Sequence, residues 1–124
     1  MSDEPSAGRL TTTVIDALRG APADGMLVDL FRLPSIAGER HHLCTVETAA
    51  GGAAPTTLLD GAALTAASYE LLFHVGRYFK ARQVTLEDAP FLDVIPVRFA
   101  IGDPGKPHHL TLLASPWAYT VYRS

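Results

Sequence analysis

The chain has 124 residues, 48% of them apolar, and a formal net charge of −3 at neutral pH. That length fits one domain able to bury about 65% of its unfolded surface around a single core without covalent staples. The acidic balance and the lack of a Lys/Arg cluster argue against a nucleic-acid partner, and no apolar run approaches the ~20 residues needed to span a bilayer.

In chain order, residues 1–7 are polar and acidic, and are expected to form a flexible tail that is neither signal peptide nor anchor. Residues 8–124 are expected to form the domain. Gly8 to Ala17 reads as a strand with Leu10, Thr12 and Val14 on one face and Thr11, Thr13 and Ile15 on the other. The Gly- and Pro-bearing stretch Arg19 to Gly25 ends it. Met26 to Leu33 is a second strand, with Asp29 and Arg32 on its polar face. After a loop over Pro34 to Arg40, His41 to Thr48 is a third. It holds the single cysteine, Cys44, expected to be a buried, inert thiol. One cysteine allows no internal disulfide, so a reducing cytoplasm is the simplest location. His41-His42 and His108-His109 do not predict a metal site, because neighbours on a strand point to opposite faces. No metal or cofactor is expected.

Ala49 to Pro55 reads as a loop, Thr56 to Leu59 as a short edge strand, and Ser68 to Val75 as a strand. A short helix follows from Gly76. Val94 to Gly102 is a strand whose Pro96 places it at a sheet edge. Beyond a turn over Asp103 to Pro107, His108 to Ala114 alternates again, with Leu110 and Leu112 opposite His109 and Thr111. After Ser115-Pro116 the aromatic, β-branched run Trp117 to Tyr122 predicts a last strand. Seven to eight short strands, frequent turns and one short helix predict an all-β, antiparallel sandwich.

Several motifs together resemble the transthyretin-like family, whose enzymes are 5-hydroxyisourate hydrolases. They are Gly8-Arg-Leu-Thr-Thr-Thr-Val-Ile-Asp16, Tyr69-Glu-Leu-Leu-Phe73 with Val75-Gly-Arg-Tyr-Phe79, Phe91 to Phe99, and the terminal His109 to Ser124. The resemblance implies a transthyretin-like sandwich, edge-strand dimers, a homotetramer as a dimer of dimers, and sites in a channel between the dimers. It implies a small cyclic molecule as partner.

The resemblance also exposes two departures. The family's first-strand His falls on Thr13, and its loop Arg falls on Ala53. His109 is retained, as are Tyr122, Arg123 and Ser124, without the glycine that usually precedes the final serine. Opening an activated cyclic amide needs a base for water and a donor for the oxyanion, and threonine and alanine supply neither. The expectation is a repurposed enzyme acting on another small cyclic compound by ring opening, closure or isomerisation. The alternatives are an atypical 5-hydroxyisourate hydrolase of purine catabolism and a non-catalytic small-molecule binder. The candidate catalytic residues are His109, Tyr122 and Ser124, and the candidate substrate-binding residues are Thr11, Thr13, Thr111, Thr120 and Arg123. Leucine and valine take the core face, so the threonines and His109 are expected to face outward, into the channel of the resembled fold.

Overall fold

The computed structural model describes residues 8–36, 38–48, 55–84 and 89–123. Two sheets pack face to face. The first holds β1 (Arg9–Asp16), β2 (Ala21–Pro22), β5 (Thr56–Asp60), β8 (Pro107–Ala114) and β9 (Tyr119–Arg123). The second runs in the order β4 (His41–Glu47), β3 (Leu27–Arg32), β6 (Ala67–Phe73), β7 (Ile95–Ile101). One helix, α1 (Val75–Ala81), follows β6.

The expected sandwich is present, with nine strands among the described residues once the two-residue β2 is included. It is not antiparallel throughout, because β1 and β8 pair in parallel from Arg9↔Pro107 to Asp16↔Ala114. Parallel neighbours cannot be joined by a tight hairpin, and here most of the chain lies between them. The other edge of β1 is shared: β5 takes its first half, and β2 pairs with Ile15 and Asp16 at its end.

Strand alternation fills the space between the sheets. Leu10, Val14, Leu110 and Leu112 point in from the first sheet, and Val28, Leu30, Tyr69, Leu71, Phe73 and Ile95 from the second. Thr12 also points inward and is fully buried, which is tolerable because its hydroxyl donates to the Leu110 carbonyl at 2.9 Å. Buried Asp16 accepts from the Leu18 and Arg19 amides and from the Tyr78 hydroxyl at 3.0 Å, tying the end of β1 to the helix. Burial, and then the Asp16 carboxylate, push the Tyr78 phenol up, so it remains a donor.

Pro96 sits on β7, the edge strand, as its chemistry requires. Val75 begins the helix instead of ending the strand, a difference from the periodicity. His74 is the helix N-cap, and Val75 is fully buried at its first turn. Gly76 then lets the helix press on the segment before β7: a Cβ there would meet Pro90 Cγ at 2.9 Å and Asp93 Cα at 3.0 Å, and its amide donates to Asp93 O at 2.8 Å. No helix among the described residues is long and apolar enough to cross a membrane.

On the outer face of the second sheet, Glu70 is buried between two arginines. Arg98 Nε donates to its Oε2 at 2.9 Å, and Arg40 Nη1 to its Oε1. The Arg98 hydrogen bond, against a burial penalty and aided by Arg40, holds the Glu70 carboxyl below the usual glutamate range. A depressed folded-state pKa gives stability that is present above the unfolded value and lost as pH falls through the folded one. The melting temperature should therefore drop as acid protonates Glu70. Melting curves of Glu70→Gln should start lower at neutral pH and show a shallower acid limb than the parent, whereas parallel limbs would mean other carboxylates control acid unfolding.

Candidate functional site

The outward face of the first sheet gathers most of the residues that sequence reasoning singled out. Thr11, Thr13 and Ile15 alternate away from the buried side of β1, each half-buried. Parallel pairing places Thr11 beside His109, Thr13 beside Thr111 and Ile15 beside Leu113. The antiparallel β8–β9 pairing continues these rows, setting Tyr122 beside Thr111 and Thr120 beside Leu113. Cross-strand partners share a face. The result is a middle row of Thr13, Thr111 and Tyr122 between a histidine row and an apolar row.

The turn between β8 and β9 fixes that register. The Ser115 amide donates to the Ala118 carbonyl at 2.9 Å, and the Ser115 hydroxyl accepts from the Trp117 and Ala118 amides at 3.2 and 3.1 Å. This is the local serine turn that competes with ladder pairing, and it reverses the chain in few residues.

The central contact is between Thr11 Oγ1 and His109 Nδ1, 2.7 Å apart and partly buried. A hydroxyl can donate to a bare Nδ1 or accept from an N–H there. Thr11 Oγ1 also lies 3.5 Å from the His108 carbonyl, to which it donates when Nδ1 carries the proton. Either arrangement keeps the ring in place and leaves Nε2 outside the bond, as donor in one tautomer and acceptor in the other. That is the equipment of a general acid–base. The rest of the face is hydroxyl and apolar groups, with Thr111 buried, Tyr122 half exposed and Leu113 partly so. Such a surface suits a neutral polar ligand with one flat apolar side.

An arginine from elsewhere in the chain could replace the cation missing at position 53, and Arg40 and Arg123 are the two to consider. Arg40 lies in the loop before β4, bound to Glu70 on the other sheet and lying over the Phe31 ring at 4.1 Å. Arg123 pairs with Leu110, so by alternation it lies on the opposite side of β9 from Tyr122. It lines a small cavity of about 80 Å³ with Leu10, Phe99, Ile101, His108, His109 and Leu110. Arg123 therefore lies across β9 from Tyr122, in a cavity that His109 also lines. Ser124 and Ala53 lie outside the described residues.

Cys44 is half-buried, its thiol donating weakly to the Leu58 carbonyl at 3.6 Å. Burial, then the Asp29 charge, push the thiol up, which disfavours the reactive thiolate. His42 is held by Thr45 at 2.9 Å, and His74 by Asp29 at 2.8 Å. Among the described residues no group of three or more His, Cys, Asp or Glu is placed to hold a metal ion.

Alternation already sets Ile15 and Leu113 on this face, but neither was singled out as a candidate site residue. Sequence reasoning missed the Arg40–Glu70–Arg98 cluster. The signal there was a carboxylate inside the apolar run Tyr69-Glu-Leu-Leu-Phe73.

Comparison with known proteins places this geometry. The sequence model of the HIUase/Transthyretin family matches residues 10–124. The chain is 44% identical over 117 residues to "5-hydroxyisourate hydrolase 2" of Rhizobium meliloti (strain 1021), covering 94% of this chain and 96% of the relative. Among solved structures it resembles (S)-allantoin synthase, with a TM-score of 0.85 and 33% identity, over 96% of this chain and 44% of the other. Sea bream transthyretin in complex with thyroxine shares the fold at a TM-score of 0.78 and 24% identity, over 93% of each chain.

Proposed function

We propose, from the premise that this chain belongs to the HIUase/Transthyretin family, that it is an enzyme for a small, neutral cyclic compound and a poor 5-hydroxyisourate hydrolase. His109 is its general acid–base, held by Thr11, and Thr13, Thr111, Thr120 and Tyr122 bind the ring. The observation that carries this reading is the 2.7 Å bond between Thr11 and His109 on a face otherwise made of hydroxyl and apolar groups. In a ring opening, Nε2 takes a proton from water, the hydroxide adds to the ring carbonyl, the ring C–N bond breaks, and the same proton passes to the leaving nitrogen. Threonine at position 13 takes less room than histidine, which favours a ligand of another shape.

A second reading, hydrolysis of 5-hydroxyisourate itself, is supported by the name of the Rhizobium meliloti relative. Against it stand Thr13 and Ala53 at the positions where the resemblance expects His and Arg. A third, pure binding, predicts saturation without turnover. Incubating the protein with a panel of cyclic amides, ureides and lactones, followed by NMR, separates the three. Turnover of a compound other than 5-hydroxyisourate, with Thr11→Val lowering kcat more than it raises KM, is the expected outcome. Rapid 5-hydroxyisourate hydrolysis favours the second reading, and saturable binding with no product the third.

The site is completed by assembly in this reading. Trp117, Tyr119, Tyr122 and Leu113 expose apolar surface on and beside the same sheet, more than a monomer usually displays in one area. Edge strands β7 and β9 offer unpaired backbone for edge pairing between copies. A homotetramer with the threonine faces opposed is expected, lining a channel for the small molecule. Sedimentation at micromolar concentration should give four times the chain mass, and a stable monomer contradicts this assembly. The lone cysteine is compatible with a reducing cytoplasm.

A further inference from the structure

We propose that the outer face of the second sheet carries an anion-binding site, formed by Arg40 and Arg98 beside the groove under Leu33, Pro34 and Ile36, for a small organic carboxylate with an apolar body. It lies on the opposite sheet from His109 and the threonine row, so the two sites are separable.

The first support is charge. Two guanidiniums share the single buried carboxylate of Glu70, whose side chain is 4% exposed. One arginine suffices to neutralise Glu70. The second leaves the cluster with a net positive charge, and the Arg40 and Arg98 side chains, 45% and 72% exposed, are open to an outside anion. Each guanidinium reaches Glu70 through one nitrogen only, Arg40 Nη1 on Oε1 and Arg98 Nε on Oε2. Among the described residues neither makes the bidentate pair that arginine forms when a carboxylate is its sole purpose. Most of their N–H donors are left for an outside acceptor.

The second support is preorganisation. Arg40 is held from below by the Phe31 ring, 4.1 Å from its Cζ, and Phe31 is braced edge-on by His42 with centroids 5.1 Å apart. Arg98 projects from β7 directly opposite Glu70 in the β6–β7 register. A donor already fixed in place loses little freedom when a ligand binds.

The third support is the groove. It is open, about 450 Å³, and lined by Leu33, Pro34, Ser35, Ile36 and Gly38 with both arginines, a size usual for small-ligand sites. Ile36 is 81% exposed above it. The residues lining the groove include no carboxylate. An apolar wall facing two cations matches an amphiphilic anion better than a bare inorganic one.

The test is an NMR titration of the full-length protein with benzoate, run beside benzyl alcohol, acetate and inorganic phosphate. Benzoate should bind saturably and shift the amides of Ile36, Gly38 and Arg98. Arg40→Gln, which leaves the Arg98–Glu70 pair to hold the sheet, should weaken benzoate about tenfold or more with little change in melting temperature. Ile36→Ser should weaken benzoate and leave acetate unchanged. The proposal is overturned by any of four results: no saturable shift, benzyl alcohol binding as tightly as benzoate, phosphate binding more tightly than benzoate, or Arg40→Gln retaining parental affinity.

Discussion

His109→Ala should lower turnover of the true substrate by about 10²- to 10⁴-fold, the usual contribution of a positioned acid–base group, while oligomeric state and melting temperature stay nearly unchanged. The small structural effect follows from position. His109 points away from the sandwich core, and Leu110, Leu112 and Ala114 on the other side of β8 carry the packing. The large chemical effect follows from composition: among the described residues of this face, His109 is the one imidazole, and its neighbours Thr11, Thr13, Thr111 and Thr120 have no usable basicity near neutral pH. Thr11→Val is the finer probe, because it keeps the shape and removes only the hydroxyl at 2.7 Å. It should lower kcat less than His109→Ala does. Steady-state kinetics on the two variants check both statements. Full activity in His109→Ala would make the histidine a bystander and leave binding, or a site elsewhere, as the better account.

The second large effect concerns the chemistry that the chain's substitutions remove. The parent protein should hydrolyse 5-hydroxyisourate barely above the spontaneous rate. Thr13→His combined with Ala53→Arg should raise that rate by about 10²-fold or more, since a base and an oxyanion donor each typically contribute on that scale. Position 13 is well placed to accept the change. It faces outward beside Thr111 in the row that Tyr122 completes, so an imidazole there enters the same face as His109. Absorbance decay of freshly generated 5-hydroxyisourate reads the result. Fast turnover by the parent would mean that another group supplies the base.

Much of this face was legible in the sequence because its signal is local. Leu10, Thr12 and Val14 alternate with Thr11 and Thr13, and Leu110 and Leu112 with His109 and Thr111. A period of two fixes which set is buried wherever one face meets a core. Which strands adjoin is not local. The parallel pairing that joins Thr11 to His109, residues 98 apart in the chain, has no signature in either strand, and the antiparallel expectation did not contain it; the motif resemblance suggested only that both residues face one channel. Arg123 shows the same limit. Its place in a terminal motif made it a candidate binding residue; which side of β9 it takes, across from Tyr122 and in a cavity shared with His109, follows only from its pairing with Leu110. Val75 was misjudged for a different reason. A β-branched residue after Tyr69-Glu-Leu-Leu-Phe73 reads as more strand, whereas burial under the helix and the close approach that Gly76 permits outweigh that preference. Glu70 was visible as an oddity, but its two arginine partners come from a loop and from another strand, which no reading of β6 alone could supply.

The central claim is that the outward face of the first sheet, with His109 at its working end, receives a small neutral cyclic molecule. The most direct measurement is a crystal structure of the protein purified from the organism that makes it, without added ligand. The account predicts density for a compact cyclic compound within hydrogen-bond distance of His109 Nε2 and of hydroxyls from Thr13 or Thr111, between opposed copies of this sheet. A structure in which those faces pack directly on each other and leave no space at His109, or in which the bound compound touches neither His109 nor the threonines, would contradict it.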